Sequence, residues 1–222
     1  MTESISMKDF HADESAKDWR IVGDGACAFF PTASFAASAR LIETIAGLPG
    51  VEDHRPDVDI RPDGVTVRLL TTNADYYGIS AIDLRLARTI SVAARDLGLA
   101  AEPSRVQSVL VIPGAANTAE IMPFWQAALD YERRPDSPEE DLVDPRGRGP
   151  ALWFEQMAET RPGGQGAIHI AVWVPHDQAK ARVDSALAAG GRIVRDTFAP
   201  AWWTMADAAG NEVDISTTIG RD

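Results

Sequence analysis

Residues 106–113, VQSVLVIP, recur in outline as residues 168–175, IHIAVWVP. Each is an apolar run of strand length that ends on a proline, Pro113 or Pro175, which suits a strand end because proline cannot donate to a ladder. A helical stretch follows in both copies, through Phe124, Trp125 and Leu129 in the first and through Val183 and Leu187 in the second. About three strand-like runs then complete each half. ALWFEQM (151–157) ends the first, while RIVRDTF (192–198), WWTMAD (202–207) and EVDIST (212–217) fill the second. A β-α-β-β-β unit built twice is the economical description of residues 104–220. Registering the two prolines equates Gln107 with His169. The segments RRPDSPEEDLVDPRGRGP (133–150) and TRPGGQG (160–166), rich in proline, glycine and charge, read as loops.

Upstream of the repeat, the order of elements is different. After a polar leader at residues 1–17, Trp19 to Val22 and Cys27 to Phe30 read as two strands joined by the turn Gly23-Asp24-Gly25. Ser34 precedes Phe35, Ala39, Ile42 and Ile45, whose spacing places them on one helical face, and Gly47 and Pro49 end that helix. Val65, Val67 and Leu69 alternate with Thr66 and Arg68 in a strand with one apolar face. Ser80-Ala81-Ile82-Asp83 has the spacing of a capping box, and Ile82, Leu86, Ile90, Ala93 and Leu97 continue one stripe as far as Gly98. Two strands, a helix, two strands and a helix fit an antiparallel sheet with helices on one face. The expected fold class is therefore α+β, with a first domain at 18–101 and a second, of paired βαβββ modules, at 104–220.

Composition is that of a globular chain: 222 residues, 45% apolar and 24% charged, enough for buried cores and inconsistent with wholesale disorder. A formal net charge of −12 argues against nucleic acid as a partner, since binding phosphate backbones needs a basic face. The first residues lack the basic start and apolar stretch of a signal peptide, and no segment reaches the ~18 apolar residues that span a bilayer. A cytoplasmic protein without a membrane partner is expected. The lone cysteine, Cys27, sits in the apolar run Ala26 to Phe30, where a buried, inert thiol is the expectation.

The first unit resembles the pterin-4a-carbinolamine dehydratases over about 80 residues, from Trp19 to Leu97. The resemblance rests on the order of strands and helices, on Asp53-His54-Arg55-Pro56, on Leu70-Thr71-Thr72-Asn73, and on Gly78-Ile79-Ser80-Ala81-Ile82-Asp83. It implies a lyase that dehydrates a 4a-hydroxytetrahydropterin, taking a proton from a ring nitrogen and giving one to the departing hydroxyl. Histidines suit that work because they titrate near neutrality. The site residues it implies are His54, Arg55, Asn73 and Asp83. This sequence departs from the family pattern at two of them. Arg55 stands where the family has a second histidine and Asn73 where it has a third, and neither titrates near neutrality. Asp83 also has a purely structural reading, as the carboxylate of the capping box.

The second unit resembles glyoxalase-like domains of the vicinal-oxygen-chelate superfamily over its whole length. Phe124-Trp125-Gln126-Ala127-Ala128-Leu129, Ala188-Ala189-Gly190-Gly191 and Asp207-Ala208-Ala209-Gly210-Asn211-Glu212 carry that resemblance. It implies a cup-shaped cavity that can hold a divalent metal ion, with Gln107, His169, Asp214 and Glu155 as candidate ligands. Trp153 competes with Glu155 for the fourth position, two residues away on the same strand face. Such a donor set would polarise an oxygen-bearing substrate.

Three classes of function stay open. One is a dehydratase-like lyase working through His54 on a pterin-like substrate. Another is a metal-assisted lyase, isomerase or dioxygenase-like enzyme on a small oxygenated metabolite in the second cup. The third is a non-catalytic small-molecule binding or sequestering protein. Both resemblances imply a homodimer.

Overall fold

The computed structural model describes residues 3–157, 167–206 and 212–221. The chain divides into two compact units, Met1–Val106 with Pro175–Asp177, and Gln107–Val174 with Gln178–Asp222. Among the described residues no helix is long and apolar enough to cross a membrane.

In the first unit, α1 (Met7–Ala12) is capped by Ser6, whose hydroxyl accepts from the Asp9 N–H at 3.0 Å. The polar stretch that begins the chain thus contains a helix, and its Phe10 is fully buried in the core of the unit. The few apolar residues of this stretch, Ile5, Met7 and Phe10 among them, are too scattered between polar ones to betray the helix in the sequence. Strands β1 (Arg20–Val22) and β2 (Gly25–Pro31) form the expected hairpin, with Gly23 in the left-handed region at φ 60°. Helix α2 (Phe35–Ala46) starts at Ser34, which accepts from the Ala37 N–H.

The buried face of α2 differs from the one its spacing suggests: Ser38, Leu41 and Ile45 are inside, while Phe35 is 74% exposed. Burial of a serine is compatible with an apolar core because the Ser38 hydroxyl is hydrogen-bonded to that of Thr32 at 2.7 Å. That pairing could not be read from a hydrophobic pattern.

Strands β3 (Asp57–Arg61) and β4 (Gly64–Leu69) complete a four-stranded sheet in the order β1-β2-β4-β3, antiparallel throughout. A short hairpin, β5 (Thr71–Asn73) with β6 (Tyr76–Gly78), leads into α3 (Ala81–Asp96). The capping box of Ser80 and Asp83 is formed. Leu86, Ile90 and Ala93 are buried as their spacing requires, whereas Ile82 and Leu97, at the ends of the stripe, are 41% and 39% exposed. Trp19 crosses the core, its indole N–H donating to the Ser91 hydroxyl at 3.0 Å.

The second unit runs β7 (Ser108–Ala115), α4 (Thr118–Leu129), β8 (Glu132–Arg133), β9 (Asp141–Val143), β10 (Ala151–Trp153) and β11 (Glu155–Gln156). It then repeats as β12 (Ala167–Trp173), α5 (Ala179–Ala188), β13 (Arg192–Arg195), β14 (Trp202–Ala206) and β15 (Glu212–Ser216). The sheet order is β13-β14-β15-β12-β7-β10-β9-β8, with β11 also on β7. Both halves therefore have their first strand at the centre and their fourth beside it, and β7 meets β12 antiparallel. This is the paired βαβββ arrangement. The expected loop at 160–166 and the turn residues 207–211 lie outside the described residues.

Each half has its own small core. Met122 of α4 packs with Leu142, Leu152 and Phe154, and Val183 of α5 packs with Val174, Met205 and Ile215. Val111, Val172 and Val213 of the central strands pack against these clusters. Because side chains alternate across a strand, their neighbours Leu110, Ile112, His169, Ala171 and Asp214 are turned to the other face of the sheet. The helices thus cover one face, and His169 and Asp214 sit among apolar residues on the other.

Candidate functional site

His54 lies between α2 and β3, on a chain segment that turns through Gly50 at φ 87°; the His54 N–H donates to the Gly50 carbonyl at 3.0 Å. Asp83 stands in the first turn of α3 and is fully buried. Its Oδ2 accepts from the Ser80 N–H at 2.7 Å and is also hydrogen-bonded to the hydroxyls of Thr71, at 2.7 Å, and Ser80, at 3.0 Å. That is the capping role. The other oxygen, Oδ1, is 2.6 Å from His54 Nε2. An ionised carboxylate can only accept, so Nε2 carries the proton and Nδ1 is the nitrogen left to exchange one. With 16% of the His54 side chain and none of that of Asp83 exposed, the pair is shielded from competing water. One residue therefore starts a helix and orients an imidazole at the same time.

A cavity of about 780 Å³ has Thr71, Asn73, Asp75, Tyr76, Ser80 and Arg85 among the residues that line it, while His54 and Asp83 themselves are not in its lining. It meets the pair through Thr71 and Ser80, whose hydroxyls are bonded to each other at 2.7 Å and to Asp83. The Tyr76 hydroxyl donates to the Ile79 carbonyl at 2.5 Å, which pins the ring across the β6–α3 junction. Asn73 Oδ1 accepts from the Asp75 N–H at 3.0 Å.

Of the four residues expected here, the structure joins His54 to Asp83 and puts Asn73 in the adjoining cavity. Arg55 faces solvent: it forms an ion pair with Glu52 at 2.8 Å, with the two side chains 76% and 75% exposed. Sequence reasoning assigned no site role to Thr71, Tyr76 or Arg85. Thr71 had a signal in the Leu70-Thr71-Thr72-Asn73 motif, whereas Arg85 had none, being one of several arginines on α3.

In the second unit His169 Nε2 lies 3.4 Å from Asp214 Oδ2. The carboxylate holds the imidazole above its ordinary range, against the opposing effect of burial, with Glu155 and Glu212 adding in the same direction. Strand register puts Glu155 on the same face: it pairs with Gly114, as His169 pairs with Ile112. Trp153, its rival, is 36% exposed at the end of β10.

Gln107 is elsewhere. It precedes β7 and its carboxamide accepts from Arg182 at 3.3 Å. The two repeat-equivalent residues lie towards opposite ends of the β7–β12 ladder, because antiparallel pairing of first strands carries equivalent positions away from one another. Among the described residues no group of three or more His, Cys, Asp and Glu side chains could hold a metal ion. His169 and Asp214 by themselves fall short of the three or four protein ligands of a zinc site.

Residues 3–93 match the sequence model of a family described as pterin 4 alpha carbinolamine dehydratase, and residues 109–216 match that of the glyoxalase-like domain. No curated protein sequence matches. Among solved structures, the NAD-dependent benzaldehyde dehydrogenase from Legionella pneumophila aligns at 17% identity over 49% of this chain and 97% of that one, with a TM-score of 0.36. A likeness that slight carries no argument.

Proposed function

Because the chain carries a pterin 4 alpha carbinolamine dehydratase domain ahead of a glyoxalase-like domain, we propose that its first unit is a lyase that removes water from a 4a-hydroxytetrahydropterin. The observation that carries this reading is the 2.6 Å contact of His54 Nε2 with the buried Asp83 carboxylate, which Thr71 and Ser80 connect to the cavity they line. Dehydration breaks the C–O bond at the 4a carbon, releases water, and leaves a C=N bond after a ring N–H proton is lost. His54 can serve both steps in turn. As imidazolium it gives the Nδ1 proton to the departing hydroxyl; as the resulting neutral base it takes the ring proton at the same nitrogen. The proton balance closes on one residue, and Asp83 stabilises the imidazolium that stands before the first transfer and is restored by the second. Asn73 donates and accepts hydrogen bonds without exchanging protons, which suits it to holding the pterin edge.

The test is the rate of disappearance of a 4a-hydroxytetrahydropterin with the full chain. Acceleration above background that is lost in His54→Ala supports the reading. No acceleration, or equal rates in the two proteins, rejects it.

A further inference from the structure

Two buried polar atoms in the second unit have no hydrogen-bond partner among the described residues, and the strand register places them side by side. Asp214 Oδ1 and Thr204 Oγ1 are both unpartnered, their residues are 8% and 2% exposed, and Thr204 pairs directly with Asp214 across β14 and β15. Leaving such atoms unsatisfied is unfavourable because each has given up its water without gaining a partner, so the pair is a prepared seat for a group that can both donate and accept. A hydroxyl fits it: it donates to Asp214 Oδ1 and accepts from the Thr204 hydroxyl, while Asp214 Oδ2 stays with His169.

The next row of the same sheet face is aromatic. Trp202 and Trp173 both pair with Ser216, one from each side, and each is two residues from the row of Thr204, Asp214 and Ala171, roughly 7 Å along the strands. Arg221 lies over this row, its Cζ 4.4 Å from the Trp173 ring centroid and 5.1 Å from that of Trp202. Its Nε donates to the Thr217 carbonyl at 2.8 Å. Its terminal nitrogens make no ion pair or hydrogen bond among the described residues, so they are available to an acceptor.

We infer that this face binds a hydroxyl-bearing organic acid without a metal ion: the hydroxyl sits between Asp214 and Thr204, the body of the molecule covers Ala171 beside the two indoles, and the carboxylate meets Arg221. The site is separate from His54 and does not depend on the pterin reading.

The experiment is equilibrium titration of the full chain, after chelation, with 4-hydroxybenzoate, 3-hydroxybenzoate and mandelate, and with benzoate and phenylacetate as partners lacking the hydroxyl. Zn²⁺ and Mn²⁺ are titrated separately. At least one hydroxy acid should bind about 10-fold or more tightly than its deoxy partner, the fold-change expected when a buried acceptor is left unpaired. Thr204→Val, close in shape, should keep or raise the melting temperature and remove most of that difference. Arg221→Gln should weaken the acids and spare the corresponding amides.

Binding by no member of the panel, or equal binding of hydroxy and deoxy acids, overturns the proposal. So does a stoichiometric metal ion lost in Asp214→Asn. A destabilised Thr204→Val that still binds normally would mean an ordered water only, and overturns it as well.

Discussion

His54 Nε2 and Asp83 Oδ1 are 2.6 Å apart although 29 residues separate them in the chain. The other oxygen of the same carboxylate is committed to the start of α3. Asp83→Asn should separate the two roles. With its carbonyl oxygen towards Ser80 and Thr71, the amide presents N–H to His54, which forces the imidazole proton onto Nδ1. The fold should survive with a loss of about 1–3 kcal/mol, and dehydration should slow by about 10²–10⁴-fold. Nitrogen NMR of the ring reports the tautomer, and an unchanged tautomer would contradict the orientation argued for Asp83.

Trp19→Phe removes the indole N–H that meets Ser91 in the core. The hydroxyl is then buried without its donor, at about 1–3 kcal/mol. Adding Ser91→Ala should recover part of the loss, because both partners are gone. A urea-unfolding cycle over the four proteins measures the coupling, and strict additivity would refute it.

Phe10 belongs to the core although it lies in a polar stretch. Phe10→Ala should destabilise the protein by about 3–5 kcal/mol. A leader that merely trailed in solvent would predict almost no change, so a single unfolding curve decides.

Cys27 is buried, and burial pushes its thiol from the ordinary 9.0 up to about 12. Two outcomes follow. The native protein should resist alkylation at pH 8, and the unfolded one should react at once. The folded thiol stays protonated where the unfolded one ionises, so the unfolded state binds fewer protons and stability falls as pH rises from about 9 towards 12. The slope from this one group is at most about 1.4 kcal/mol per pH unit. Cys27→Ala should flatten that part of the stability curve.

Much of the fold could be read along the chain. The capping box at Ser80 and Asp83, the strand of Val65, Val67 and Leu69, and the repeat of 106–113 in 168–175 are local signals, each contained within a few residues or in their recurrence. The candidate site was less legible. His54 and Asp83 could each be named, but Asp83 was equally explained as a cap, and the structure shows one carboxylate filling both roles. Arg55 follows His54 directly and yet faces Glu52 and solvent, since the course of a loop is not written in its order of residues. The buried face of α2 was misplaced for a similar reason: a hydrophobic pattern overlooks a serine that Thr32 satisfies.

By itself the sequence determined two α+β units, their order, the doubled βαβββ plan and the residue types available for chemistry, because periodicity, caps and repeats act over short stretches. Tertiary structure alone decided which of those residues meet. It joined His54 to Asp83, drew Gln107 away from His169, and set Thr204 beside Asp214. The physical reason is that strand register and loop course are settled by packing between segments far apart in the chain. A one-residue slip in any of those ladders would turn every side chain on the strand to the opposite face.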